Sequence, residues 1–244
     1  DTYNVAIGFN TGESITTGSE NTIVGSQAGI ALTVGDDNVV MGYEALESDT
    51  KGSRSVAIGY QALKTQNFST ATACQNTAVG YGSGMDLTTG INNTFLGGDS
   101  GANITTGSKN TFVGHYHGNQ HGLDLRTSSN NIVLSDGDGN PRGRFDSNGH
   151  WYVNKFTTDF NTVGARMRSD GAMEAVRDGN EPFFINRLTD DGGLIAFYAQ
   201  GNVEGTISVS GSTVSYNGFS GLHESSGIAS DTPVGTVCST TIWR

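Results

Sequence analysis

Two histidines separated by one residue are the first candidates for chemistry in this 244-residue chain. His115 and His117 flank Tyr116, and His121 follows close behind. Alternate residues of a strand point to one face, so the two imidazoles would lie side by side. If three chains met at a threefold axis there, six ring nitrogens would suit an octahedral divalent transition metal ion. The pair predicts a metal site on that axis, and the alternative is a pair of ordinary surface histidines.

Three tyrosines form a second candidate group. Tyr43, Tyr60 and Tyr81 each follow a repeated glycine directly, and Phe9 occupies the same place in the first copy. Aromatic rings presented in register can stack on sugars, or they can pack against a neighbouring chain. We predict receptor or inter-chain contact for these residues and prefer the inter-chain interpretation.

Catalysis is the third possibility. Paired carboxylates could hydrolyse a glycan if they lined a groove, but the chain contains no Gly-x-Ser-x-Gly or His-Glu-x-x-His motif. The acidic run from Asp136 to Asn140 does not fit an EF-hand loop, because Ser147 stands where the loop needs glutamate. We therefore interpret the acids as solvated turn residues and expect no enzymatic activity.

A repeated phrase must position these residues. It ends in a glycine preceded by an aliphatic residue, and its glycines are spaced by 17 residues except for one step of 21. Alternating β-branched residues predict a short strand with one buried face, and a fixed period predicts stacked coils. The glycines would provide positive φ or close packing of neighbouring coils. The seven glycines are Gly8, Gly25, Gly42, Gly59, Gly80, Gly97 and Gly114.

Further features of the period lead to finer predictions. A small residue stands three places after most of these glycines, which indicates a crowded interior, and His117 occupies that place in the last copy. Asn and Thr recur in register and should form ladders along the stack. The four extra residues of the long step, near Phe68 to Cys74, should form an outward loop.

The phrases Tyr3–Gly8 and Ser55–Gly59 resemble the Ser-Val-Ala-Ile-Gly repeat of trimeric autotransporter adhesin heads, which also occurs in bacteriophage tail-fibre proteins. The resemblance implies a left-handed β-roll with two short strands per repeat and three chains around a threefold axis. The period of 17 is longer than the adhesin repeat, so longer turns are expected.

The distal half of the chain has a different character. We expect a strand at Pro182–Arg187, a turn at Asp190–Gly193 and a further strand at Leu194–Tyr198. This run, with Gly205–Gly211 after it, resembles a segment near the distal end of phage tail fibres. In that family a self-cleaving intramolecular chaperone often follows.

The predicted fold class is all-β, a trimeric fibrous left-handed β-roll followed by β-meander and β-prism-like segments. We divide the chain into a repeat array (1–130), a meander (131–160), a distal β segment (161–218) and a C-terminal segment cut short (219–244). Cys74 and Cys238 lack any motif spacing and are expected to be free thiols.

Composition excludes several classes of function. The net charge of −11 argues against a nucleic-acid partner, and no stretch is apolar enough to suggest membrane insertion. The resemblances imply a structural and host-attachment segment of a phage tail fibre. The expected partners are two further copies of the chain, other virion tail proteins and a host surface receptor, expected to be a glycan. Such a segment would lie in the virion and be extracellular once released. The alternatives are a bacterial trimeric surface adhesin head and a tail-spike polysaccharide depolymerase.

Overall fold

The computed structural model describes residues 2–218, and these form strands and turns without any helix. Accordingly, the described part of the chain offers no helical segment able to cross a membrane. The chain divides into two compact units, one reaching to Pro182 and one starting at Phe183. The all-β prediction is confirmed.

The first unit begins as a β-solenoid of eight turns. In seven of them a single three-residue strand pairs in parallel with the strand one coil away, and the eighth strand has four residues. The two strands per repeat implied by the adhesin resemblance occur only around the longer coil, where β4 pairs with β6. The strands are β1 (Val5–Ile7), β2 (Thr22–Val24), β3 (Val39–Met41), β4 (Gly52–Ser53), β5 (Val56–Ile58), β6 (Thr72–Ala73), β7 (Thr77–Val79), β8 (Thr94–Leu96), β9 (Thr111–Val113) and β10 (Ile132–Ser135).

The solenoid encloses a core of its own. The middle residue of each inner strand points inward, as at Ile23, Phe95 and Phe112, all of which are fully buried. Small residues such as Ala28 and Ser100 fill the space beside them, which confirms the crowded interior. Neighbouring coils therefore close this core without help from a partner chain.

The repeated glycines are required for two reasons at once. Gly59 has φ of +137°, a conformation that residues with a side chain rarely adopt. A methyl group at Gly59 would also lie 2.1 Å from the carbonyl oxygen of Gly80 in the next coil. The other six repeated glycines share both features, so the predicted role is confirmed at every copy.

A buried asparagine ladder joins the coils, as predicted. The backbone and side-chain amides of Asn38 both donate to Oδ1 of Asn21 at 3.0 Å, and Nδ2 of Asn38 donates to the Gly52 carbonyl. The same pattern links Asn76, Asn93 and later members. Each rung satisfies polar groups that have no access to water, so it holds adjacent coils in register.

The ladder is repaired where Ser55 replaces asparagine. Gln66, from the longer coil, places its side-chain amide in the gap: its Nε2 donates to Asp49 and to Ser55 Oγ, and its Oε1 accepts from Asn76. The extra residues of this coil, Ser69 to Ala73, are largely exposed, as the loop prediction required.

The array continues one coil further than the seven glycines indicate. Strand β10 pairs in parallel with β9 and in antiparallel with the next strand, and Ser135 stands where earlier coils have glycine. Ile132–Ser135 thus belongs both to the solenoid and to the predicted meander. The antiparallel strands that follow are β11 (Pro141–Phe145), β12 (Trp151–Val153), β13 (Gly164–Met167) and β14 (Met173–Val176).

The second unit contains one three-stranded antiparallel sheet of β15 (Gly192–Ala199), β16 (Asn202–Ser210) and β17 (Thr213–Asn217). The predicted strand at Leu194–Tyr198 lies within β15. The predicted strand at Pro182–Arg187 is wrong, because that segment pairs with no strand of the described chain. Its residues instead lead into a turn held by the Arg187 to Asp190 ion pair at 2.8 Å. The C-terminal segment 219–244, with Cys238, lies outside the described residues.

Candidate functional site

One row of the solenoid carries most of the candidate residues. It consists of the position directly after each repeated glycine, and its members are Phe9, Ser26, Tyr43, Tyr60, Tyr81, Gly98 and His115. Because neighbouring coils hydrogen-bond in register, successive members of this row lie one coil apart. The solenoid therefore brings the predicted tyrosine group and the predicted histidine pair onto the same row.

The tyrosines stack on one another. The ring centroids of Tyr43 and Tyr60 are 5.4 Å apart with an interplanar angle of 17°, and those of Tyr60 and Tyr81 are 4.8 Å apart at 5°. All three rings remain exposed at their edges. Both faces of Tyr60 are covered by its neighbours, so a sugar could stack only on the outer face of a terminal ring. The contact with a receptor or a second chain stays a prediction.

Charged side chains support the start of this stack. Lys64 pairs with Glu44 and, at 3.3 Å, with Glu47, and Gln61 Nε2 donates to Glu44 at 2.7 Å. The hydrogen bond from Lys64 is the main reason that the pKa of Glu44 falls to about 2. In turn, the hydrogen bond to Glu44 raises the pKa of the Tyr43 hydroxyl. These contacts hold the rim of two successive coils in place.

The two histidines lie together, as predicted, and a third residue joins them. The rings of His115 and His117 have centroids 4.8 Å apart and are inclined by 58°. Asp99 reaches them from the preceding coil, with its Oδ2 4.0 Å from Nε2 of His115. One donor atom of each of the three residues lies within 4.8 Å of the others. His121 lies outside this cluster, which we call the Asp99–His cluster.

Tyr116 sets the direction of both histidines. Its side chain is fully buried in the core, and its hydroxyl donates to the Leu123 carbonyl at 2.7 Å. Its own carbonyl accepts from the Gly101 amide, just as the Ser100 carbonyl accepts from Gly84. Tyr116 therefore takes the interior place of the small residue, and the prediction that His117 takes it is wrong. With Tyr116 inward, the flanking histidines point away from the core.

The protonation of His117 follows from its surroundings. Burial, together with the nearby His115 ring, lowers the pKa of His117, so the neutral imidazole is favoured. Its Nε2 is buried and has no hydrogen-bond partner among residues 2–218. Its backbone amide donates to Oε1 of Gln120 at 2.7 Å, which fixes the main chain at this point. A neutral ring with a free nitrogen can act as a metal ligand.

Asp99 is the functional candidate that sequence reasoning missed. A signal was present, since one period of 17 counted from Asp99 reaches position 116, between the two histidines. In a stack of coils, residues one period apart are neighbours. The metal prediction used only residues adjacent in sequence and therefore overlooked the ligand from the neighbouring coil.

The remaining reactive side chain of the solenoid is not suited to catalysis. Cys74 is a buried free thiol, and burial with the nearby Asp49 charge raises its pKa to about 12. The thiol is therefore protonated at neutral pH, whereas a nucleophilic or metal-binding cysteine needs the thiolate.

Comparison with known proteins leaves the fold to define the class. No family model, no curated protein and no solved structure matches this chain. The stacked parallel coils and the separate antiparallel sheet define a fibrous β-solenoid, and they are compatible with a β-roll repeat protein.

Proposed function

We propose that this chain is a self-associating shaft segment of a phage tail fibre and takes part in host attachment as a parallel homotrimer. The observation that carries the proposal is an exposed apolar face on the outside of the solenoid. A segment that must transmit attachment over a distance needs stiffness and a surface for its partner chains, and the repeat provides candidates for both.

The apolar face consists of two rows of outward strand residues. The residues directly before the glycine positions form the first row, and six of its eight members are 36–60% exposed. These six are Ile7, Met41, Val79, Leu96, Val113 and Leu134. Soluble monomers rarely expose a continuous apolar surface of this length, so a partner is expected to cover it.

The second row continues beyond the solenoid. Pairing in register links Ile132 to Phe145, Phe145 to Trp151 and Trp151 to Met167. All four side chains are exposed, and the rings of Phe145 and Trp151 stack at 6.0 Å. At a strand spacing of about 4.8 Å, the twelve strands of this sheet extend for roughly 50 Å.

The pitch of these rows favours a second copy of the chain as the partner. A surface with one apolar residue per strand is best matched by another surface of the same pitch. Two parallel copies satisfy this condition at every coil. The number of three chains comes from the resemblance to adhesin heads, and the attachment role comes from the tail-fibre-like distal segments.

Light scattering of the purified chain tests self-association. We expect a homotrimer that dissociates in a Leu96→Lys/Val113→Lys double variant, because two charges per chain would be buried on the apolar face. The control is Thr70→Lys/Thr127→Lys, which adds the same charge at exposed polar positions away from this face. A folded, monomeric parent chain, or equal behaviour of the two double variants, would contradict the proposal.

A glycan array tests the attachment role. We expect binding to a surface glycan, with weaker binding by Tyr81→Ala, which removes an exposed ring at the end of the stack. Release of new reducing ends from a bound polysaccharide would instead favour the depolymerase alternative. A membrane anchor encoded in the full-length gene would favour the bacterial adhesin.

A further inference from the structure

We propose that Asp99, His115 and His117 of a single chain bind one divalent first-row transition metal ion between the sixth and seventh coils. The donors are one carboxylate oxygen and two imidazole nitrogens. Imidazole suits zinc, nickel and copper, whereas magnesium and calcium prefer oxygen ligands. The ligand set therefore favours an ion such as Zn²⁺.

The positions of the donors fit this ion after a small adjustment. A tetrahedral zinc with bonds of about 2.0–2.2 Å holds its ligand atoms roughly 3.4 Å apart. The Asp99 and His115 donors are 4.0 Å apart, and no pair in the cluster exceeds 4.8 Å. The Asp99 and His115 side chains are 32% and 37% exposed, so they can rotate inward and the ion can enter from solvent.

The coil hydrogen bonds keep the ligands in place before any ion arrives. The Asp99 amide donates to the Tyr81 carbonyl at 2.6 Å, and the Asn103 amide donates to the His117 carbonyl at 2.9 Å. The sixth and seventh coils are thus already aligned. Binding needs only side-chain rotation, which limits the entropic cost.

An independent observation also points to a ligand. Nε2 of His117 is buried and makes no hydrogen bond within the described residues, although buried polar atoms are normally paired. The distance of 4.0 Å between His115 and Asp99 is too long for a hydrogen bond. Two of the three side chains therefore have a donor without a short contact, and a shared cation would satisfy both.

The cluster differs from a site on a threefold axis in the source of its ligands. Three ligands of one chain already make a metal site, with the fourth position open to water. This arrangement predicts one ion per chain in any oligomeric state, whereas six imidazoles on an axis would bind one ion per three chains. The ion would join two coils at the place where Tyr116 interrupts the regular interior.

Isothermal titration of the metal-free full chain with Zn²⁺ tests the proposal. We expect one ion per chain, at least tenfold weaker binding by Asp99→Asn, His115→Gln and His117→Gln, and a higher melting temperature of the parent in Zn²⁺. His121→Gln is the matched control and should bind like the parent, and Mg²⁺ should not bind. Circular dichroism without metal checks that each variant folds, and Asp99→Asn is nearly isosteric.

The measured ratio of ions to chains distinguishes this site from a shared axial site. Absence of Zn²⁺ binding by the parent, or parent-like affinity of Asp99→Asn, would overturn the proposal. A ratio of one ion per three chains would also overturn it, in favour of six imidazoles on the threefold axis. Because the ratio is measured per chain, failure of the proposed self-association would leave this result readable.

Discussion

The solenoid and the distal antiparallel sheet use the same strand chemistry with different results. Every inner coil of the solenoid has at least one fully buried side chain, such as Ile23, Val40 or Phe112. Between residues 183 and 218 Gly205 alone is buried, and Phe183, Phe184 and Leu188 are 65–88% exposed. The two units thus differ in whether one chain can form its own core.

The difference shows what a period contributes. In the solenoid each residue meets its counterpart from the next coil, so one apolar position per repeat is enough to build a continuous core. A single three-stranded sheet has two faces and nothing within its own unit to cover either. We infer that the solenoid is stable by itself and that the distal sheet depends on partner chains.

The largest expected effect is at a repeated glycine. Gly59→Val should prevent folding or cost more than about 4 kcal/mol, because both the positive φ and the 2.1 Å approach to Gly80 exclude a side chain. Gly193→Val in β15 is the control and should change stability by less than about 0.5 kcal/mol, since a methyl group there meets nothing within 4 Å. Urea denaturation followed by circular dichroism measures both, and similar losses would refute the contrast.

A core substitution sharpens the same comparison. Phe95→Ala should cost about 3–5 kcal/mol, because Phe95 is fully buried against Phe112 at 5.4 Å. Tyr198→Ala in the distal sheet should cost less than about 0.5 kcal/mol in a single chain, as Tyr198 is exposed. A loss above about 1 kcal/mol for Tyr198→Ala that depends on protein concentration would reveal a partner chain on that sheet.

The repair of the asparagine ladder gives an intermediate effect. Gln66→Ala should cost about 2–3 kcal/mol, since Asp49 and Asn76 would each lose a buried hydrogen-bond partner. The neighbouring Asn67→Ala changes an exposed residue and should cost less than about 1 kcal/mol. Ser55→Asn in the Gln66→Ala background should recover part of the loss, because it restores the regular rung. Failure of this rescue would show that Gln66 acts otherwise.

The smallest effect concerns pH. The pKa of Glu44 is lowered to about 2, so its ion pair stabilises the fold above the usual glutamate range and loses this contribution as pH falls from about 4.5 to 2. Glu44→Gln should therefore be less stable than the parent by up to about 1 kcal/mol at pH 6 and equally stable near pH 2. Glu204→Gln, an exposed acid of the distal sheet, is the control. A difference that does not depend on pH would exclude the ion pair as its cause.

Most of the solenoid could be predicted from the sequence because its structure is periodic. The spacing of Gly25, Gly42 and Gly59 indicated the coil length, and the aliphatic residues before them indicated the strands. The alternation of buried and exposed positions followed from the two-residue period of a strand. The same reasoning did not extend to Pro182–Arg187, where apolar residues suggested a strand but no neighbouring strand of the described chain pairs with them.

The metal candidate shows the limit of adjacency in sequence. His115 and His117 were found because alternate residues share a face, and the rings do lie together. Asp99 was not found, because its nearness depends on which residues of two coils are opposed. That pairing shifts in the seventh coil, where the Tyr116 carbonyl replaces the regular third position.

By itself, the sequence determined the repeat length, the obligatory glycines and the side of each strand that faces the core. These features depend on backbone geometry and repeat in every coil, so one pattern describes them all. Only the tertiary structure decided that Ser135 closes an eighth coil, that Gln66 fills the place of a missing asparagine and that Asp99 faces two histidines. Each of these depends on a contact between different coils at an irregular position, which no local pattern specifies.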